Sequence, residues 1–148
     1  CIMVRHAQET DLPLLLGKGR EFAIYTGLPT PFSPQATERM IRYLMENGVV
    51  LVSETDGAVD GAILGMVVPI WYVGAFTAAE LALWVSPDRR TKGVARSLIE
   101  AFEAWGREQS VEYFTMSDLS VDGTYPAGGM FERMGYRPFE RAHIKEVR

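Results

Sequence analysis

Apolar residues recur along this chain with two different periods. Leu12, Leu15, Leu16, Phe22 and Ala23 fall on one helical face, and Met40, Ile41, Leu44 and Met45 fall on another. Val94, Leu98, Phe102 and Trp105 follow at spacings of four, four and three, which predicts a long helix over residues 91–109. Between these stripes lie short runs with strand character at residues 2–6, 49–53, 59–68, 79–85 and 111–116. The punctuation agrees with the periods. Thr10-Asp11 with Pro13 opens the first helix, whose interior Gly17 and Gly19 weaken it. Residues 27–34 form a proline-rich connection. Ser33-Pro34 caps the second helix, Asn47-Gly48 closes it, and Asp56-Gly57 predicts a hairpin turn. A short helix is expected over residues 125–134, weakened by Gly128-Gly129, and a last strand pair over 136–139 and 142–147. The expected order is β-α-α-β-β-β-α-β-α-β-β. It has no repeat and no linker, so residues 1–148 read as a single domain.

One stretch could be mistaken for a membrane span. Residues 61–79 carry no charge, but they include Gly61, Gly65, Pro69 and Gly74, and Ile63, Met66, Val67 and Val68 suit a buried strand. Two strands and a loop are expected there, with no membrane association. The 148 residues are 47% hydrophobic and 23% charged, ordinary globular usage. Fifteen basic and 19 acidic residues give a net charge of −4, which counts against a nucleic-acid-binding protein. The single cysteine, Cys1, allows no intrachain disulfide framework, so a reducing compartment, the cytoplasm, is expected. His6 and His143 lack metal-ligand spacing, and no metal is expected. The start lacks a basic region followed by a long apolar core. Met3-Val4-Arg5-His6-Ala7 reads as a natural beginning, with Cys1 and Ile2 either a cloning remnant before it or a sign that the true start lies elsewhere.

The candidate chemistry sits between the fourth strand and the third helix. A strand ending at Val85 runs through Pro87-Asp88 into a turn holding Arg89, Arg90, Lys92 and Gly93, with Arg96 one turn further on. The first N–H groups of a helix have no internal acceptor, and the helix dipole adds partial positive charge there. Basic side chains at that end oppose the dipole unless an anion is bound. A bare glycine lets a ligand approach the backbone. The segment therefore reads either as a solvated basic helix start or as an anion site of the kind that holds a pyrophosphate. Neither a Walker loop nor a dinucleotide fingerprint is present.

The pattern Val85-x-Pro87-x-x-Arg90-x-x-Gly93-x-Ala95-x-x-Leu98 resembles the acetyl-CoA signature of the GNAT superfamily of N-acetyltransferases. Arg5-His6-Ala7 with Asp11-Leu12 resembles the family's opening strand and helix, Gly57-x-x-x-Gly61 its middle hairpin, and Phe131 to Tyr136 its late helix-to-strand motif. The resemblance implies a mixed, mostly antiparallel α/β fold: a sheet of six to seven strands, about four helices, and a splayed strand pair forming a slot for CoA. It implies that Arg90, Thr91, Lys92, Gly93, Val94, Ala95 and Arg96 hold the pyrophosphate. Leu83, Trp84 and Val85 would contact the acyl carbonyl and pantetheine. The implied reaction is direct transfer of acetyl from acetyl-CoA to a primary amine, on a small molecule or a protein, with no covalent enzyme intermediate. A binding or regulatory module that keeps only the cofactor is the alternative.

Glu80 is the expected base. Period-2 alternation would put it on one face with Ala82 and Trp84, and its neighbours Ala78, Ala79 and Leu81 predict a raised pKa. A solvated or ion-paired glutamate is the competing reading. The family's late helix usually offers Asn, Ala and Tyr; here Thr124, Ala127 and Phe131 stand at those positions. Phe131 has no proton to give, so Tyr125 is the expected substitute acid, with Tyr113 behind it and packing the competing role for both. Trp71, Tyr72 and Phe76 read as core or dimer packing, or as an aromatic floor for an amine.

Overall fold

The computed structural model describes residues 1–147. They form two compact units, the first Cys1–Ser117 and the second beginning at Asp118.

The first unit is a five-stranded sheet in the order β1-β2-β3-β4-β5. Its strands are β1 Ile2–His6, β2 Val49–Thr55, β3 Ala58–Ile70, β4 Ala75–Val85 and β5 Tyr113–Thr115. Neighbours are antiparallel except β4 and β5, which run parallel. Helices α1 Leu12–Thr26 and α2 Pro34–Asn47 pack on one face, where Leu12, Leu15, Ile41 and Leu44 meet Val50, Val52 and Ala62. Helix α3 Val94–Glu108 lies on the other. β2 is buried at each of Val49, Val50, Leu51, Val52 and Ser53, as a strand covered on both faces must be.

The close approach of α3 depends on small residues beneath it. A Cβ at Gly61 would lie 2.9 Å from Leu98 Cδ1, and one at Gly65 would overlap the Phe102 ring. Val94, Leu98, Ile99 and Phe102 are fully buried as a result. The apolar stripe of α3 ends on Gly106, whose bare backbone faces Phe114 and Ala78, and Trp105 is only half-buried.

A polar clamp joins the opening of the chain to the sheet. The Arg5 guanidinium donates from Nη1 to Asp11 Oδ2 at 2.8 Å and from Nη2 to Asp11 Oδ1 at 3.1 Å. It also reaches Glu54 Oε1 on β2 from Nε at 2.9 Å and Nη2 at 2.7 Å. Asp11 is buried and additionally accepts the Gln8 N–H at 2.7 Å. The bonds to Arg5 hold the Asp11 carboxyl below its ordinary pKa, against the opposing effect of burial. Ser33 caps α2 as expected, accepting the Ala36 N–H at 3.1 Å. Asp11 makes no cap bond to α1, because its carboxylate is committed to Arg5 and Gln8.

Several expected boundaries shift. α3 begins at Val94 rather than at residue 91, because Thr91 and Gly93 take left-handed φ values of 67° and 89°. β4 begins at Ala75, and Trp71–Gly74 form the turn before it. The sheet has five strands rather than six to seven. The missing two are those expected at residues 136–139 and 142–147, which form no strand. Pro138 removes a donor there. Alternation over 142–147 mixes Ala142 and Ile144 with Glu146, and His143 and Lys145 with Val147, leaving no apolar face to bury. In this second unit α4 is confined to Gly128–Arg133, and Phe131 is buried, its ring centroid 6.1 Å from that of Tyr136.

The clamp gives a stability prediction. Asp11→Ala leaves the partly buried Arg5 without its bidentate partner and should cost about 2 kcal/mol or more in urea unfolding at neutral pH. A carboxyl held low in the folded state stabilises above its ordinary pKa, so this cost should shrink as pH falls below about 4. A difference independent of pH between 7 and 3 would show that Asp11 acts through packing alone.

Candidate active site

β4 is paired with β3 along its whole length but with β5 only at Thr77, Ala78 and Ala79. The β4–β5 ladder is bracketed by two glutamates. Glu112 Oε1 accepts the Phe76 N–H at 3.0 Å at one end, and Glu80 Oε1 accepts the Ser117 N–H at 2.9 Å at the other. Beyond Glu80, β4 runs to Val85 with no strand on that edge, so the two strands part at this carboxylate.

A β-bulge at the same place decides which side chains share a face. Gly65 pairs with Glu80 and Leu64 with Ala82, so Leu81 is an extra residue in β4. The bulge reverses the alternation. Glu80 shares its face with Leu83 and Val85, on the α3 side, and not with Ala82 and Trp84 as a regular strand would give. Trp84 turns to the α1 side, where Lys18 Nζ lies 4.1 Å from its ring centroid. Glu80 is only 6% exposed. Burial pushes its carboxyl up to about 7, although the Ser117 N–H favours the charged form.

The loop after β4 is held by its own backbone. Ser86 N–H donates to Asp60 O at 2.8 Å, Arg89 N–H to Ser86 O at 2.9 Å, and Lys92 N–H to Arg89 O at 3.3 Å. Arg90 Nε returns to Val85 O at 3.1 Å. Thr91, a β-branched residue at φ 67°, carries strain on the order of 1–2 kcal/mol. Gly93 stands at the N-cap with no side chain to accept a hydrogen bond, and the first helical bond is Ser97 N–H to Gly93 O at 3.0 Å. The N–H groups of Val94, Ala95 and Arg96 are therefore left without an intrahelical acceptor. Lys92 and Arg90 lie beside them, and Arg96 pairs with Glu100 at 3.4 Å on the outer face of α3. An uncapped 15-residue helix, a strained loop and a basic rim can together hold a pyrophosphate.

Of the residues expected at the site, the first unit brings together Glu80, Leu83, Val85 and the loop from Arg90 to Arg96. Trp84 is on the same strand but the opposite face. Tyr125 belongs to the second unit, where it is exposed and lies under the Arg141 guanidinium at 5.4 Å from its ring centroid. Trp71, Tyr72 and Phe76 are exposed rather than core, with the first two rings edge-to-face at 5.3 Å. Ser117, Asp60, Ser53 and Thr55 are the residues that sequence reasoning missed. Asp60 has a signal: it is a lone acid inside the strand run Val59-Asp60-Gly61-Ala62. Among the described residues no cluster of His, Cys, Asp or Glu could hold a metal ion, and no helix is long and apolar enough to cross a membrane.

The sheet thus opens at a buried carboxylate on the face covered by α3, the helix whose uncapped basic start follows the loop after β4. The sequence matches the Acetyltransferase (GNAT) family over residues 22–136, and the chain belongs to that family of acetyl-transferring enzymes, which use acetyl-CoA. No curated protein matches it. Among solved structures it is similar to a Trypanosoma brucei acetyltransferase at 20% identity and a TM-score of 0.72, covering 99% of this chain and 100% of that one. It is similar to a transcriptional regulator from Bacillus halodurans C-125 at 14% identity and a TM-score of 0.80, again over 99% and 100%. It is also similar to AAC(6')-Iy in complex with the bisubstrate analogue CoA-S-monomethyl-acetylneamine, at 18% identity and a TM-score of 0.75, over 100% and 99%. At these identities the likeness is one of fold.

Two substitutions test this geometry. Gly93→Asp forces a side chain onto a left-handed backbone and adds negative charge at the helix start. Acetyl-CoA affinity measured by calorimetric titration should fall at least tenfold, about 1.4 kcal/mol; a folded variant with unchanged affinity would remove this loop from cofactor binding. Phe131→Tyr adds a hydroxyl at a buried position and should lower stability by about 1–3 kcal/mol with no gain in thiol release. A faster variant of unchanged melting temperature would place this ring at the reacting atoms.

Proposed function

We propose that this protein is an acetyl-CoA-dependent N-acetyltransferase acting on a primary amine, of a small molecule or a protein, by direct attack. The observation that supports it best is Glu80, buried where β4 and β5 separate. The uncapped start of α3 and the strain at Thr91 fit the pyrophosphate of acetyl-CoA, with Arg90, Lys92 and Arg96 around it. Leu83, Trp84 and Val85 offer an unpaired strand edge to the rest of the cofactor. Acetyl-CoA, when bound, supplies an acetyl group activated as a thioester.

In this reading the chain's own work is proton management. An amine reaches the site as an ammonium ion and must lose a proton to become a nucleophile. The ionised Glu80 carboxylate accepts that proton, directly or through one water. A base is most effective when its pKa lies near the working pH, and burial gives Glu80 that value, about 7. The departing thiolate takes a proton from solvent or from Tyr125, since Phe131 has none to give. The whole chain serves as one acyl-CoA-binding domain. The exposed Trp71, Tyr72 and Phe76 form an amine-contacting or self-association surface. The single Cys1 suits a reducing compartment, for which we propose the cytoplasm.

Glu80→Gln keeps the volume and removes the basicity. Turnover should drop by about 10²-fold while acetyl-CoA affinity stays within about twofold. In the parent, kcat/KM should rise with a midpoint near pH 7 and level off above it, and the variant should lose this limb. Stability gives an independent check. A carboxyl raised in the folded state contributes stability that is present below its ordinary pKa and lost as pH rises through about 7. Glu80→Gln should therefore be the more stable protein at pH 8, by on the order of 2 kcal/mol. A variant as active as the parent from pH 6 to 9 would return Glu80 to a structural role.

A further inference from the structure

We infer that Asp60 is a positioning residue for acetyl-CoA: it anchors the first turn of the anion loop, and through it the N–H groups that meet the pyrophosphate. The inference rests on reading residues 90–96 as that cradle.

Asp60 occupies a second β-bulge. Ser53 pairs with Gly61 and Glu54 with Val59, so Asp60 is the extra residue in β3. Its carboxylate is turned inward, and the residue is only 6% exposed. Ser53 donates from Oγ to Oδ1 at 2.7 Å, and Thr55 donates from Oγ1 to Oδ2 at 2.6 Å. Both hydroxyls come from β2, a strand of the rigid core. A buried carboxylate also needs a cation, and Arg89 supplies it, with Nε 3.3 Å from Oδ2. The Asp60 carbonyl meanwhile takes the Ser86 N–H at 2.8 Å. One residue thus grips the loop twice, by main chain at Ser86 and by side chain at Arg89.

The grip is passed on by the backbone. The bonds from Arg89 N–H to Ser86 O and from Lys92 N–H to Arg89 O make each turn hang from the one before, and Gly93 follows directly. The alternative anchor, simple packing, is weak here. A cavity of about 240 Å³ opens beside the pair, lined in part by Thr55, Val59, Ser86 and Arg89, so an unpaired Arg89 has room to move away. Its Nε is buried and makes no aligned hydrogen bond, which leaves the ion pair to Asp60 as the contact that fixes it.

The sign of the effect separates positioning from charge. Removing a carboxylate near a bound pyrophosphate should tighten binding on electrostatic grounds alone. Positioning predicts the opposite. Acetyl-CoA dissociation constants are measured by calorimetric titration for the parent, Asp60→Asn, Asp60→Ala, Arg89→Ala and the double variant Asp60→Ala/Arg89→Ala. Steady-state kinetics with a reactive amine accompany them. We expect both Asp60 variants to bind acetyl-CoA at least about fivefold more weakly, with the loss larger in KM for acetyl-CoA than in kcat. The double variant should be no weaker than the worse single one, because the two residues act as one unit. Asp60→Asn keeps the size and the hydroxyl partners, so it decides the matter if Asp60→Ala does not fold. Equal or tighter binding by folded Asp60→Asn overturns the inference, as does full additivity in the double variant. A parent that fails to bind acetyl-CoA overturns the cradle itself, a result distinct from a parent that binds and an Asp60→Asn that matches it.

Discussion

The site depends on one unfinished pairing. β4 keeps its full ladder with β3 yet gives up β5 after Ala79. A strand edge left open in the middle of a sheet carries main-chain donors and acceptors that need another partner. At the far end of β4 Arg90 Nε donates to Val85 O, and at the point of separation the Glu80 carboxylate accepts the Ser117 N–H. Past that point the edge is open to a ligand with its own amides and carbonyls. The bulge at Leu81 turns Glu80 to the face covered by α3, and burial there raises its pKa.

Two bulges refine this arrangement. The extra residue Leu81 sets Glu80 on the α3 side of the sheet, the side from which the helix start approaches. The extra residue Asp60 turns a carboxylate toward the beginning of the loop. In a regular ladder both acids would sit at other positions on the pleat. The helix in turn can lie close because Gly61 and Gly65 present no side chains to it, and its own Gly106 presents none to Phe114 and Ala78. Position of the loop and depth of the site are thus fixed by bare backbone and by irregularities, not by the regular parts of the sheet.

That division explains what can be read from the sequence. The helices α1, α2 and α3 and the strands β1 to β4 announce themselves by period and punctuation, and the Val85 to Leu98 pattern points to the loop through its resemblance to a family signature set between a strand and a helix. The register of Glu80 is not legible: a single inserted residue shifts the phase, and Leu81 looks like any strand leucine. Residues 136–147 carry enough apolar and β-favouring side chains to suggest strands, but no face gathers them. Phe139 and Ile144 are exposed instead. The true start of α3, three residues later than its pattern suggests, is hidden because the left-handed Thr91 has no signature in its side chain. Asp60 is visible as an acid in an apolar run, but its partners lie on another strand and its loop 26 residues away, beyond local pattern reading.

The most direct test of the cofactor cradle is the amide spectrum of the isotopically labelled protein titrated with CoA. The largest shifts are expected at the N–H groups of Gly93, Val94, Ala95 and Arg96 and along Leu83 to Val85, with little change in α2. Saturable binding that shifts α2 or the β1–β2 edge instead, leaving residues 93–96 unmoved, would contradict it.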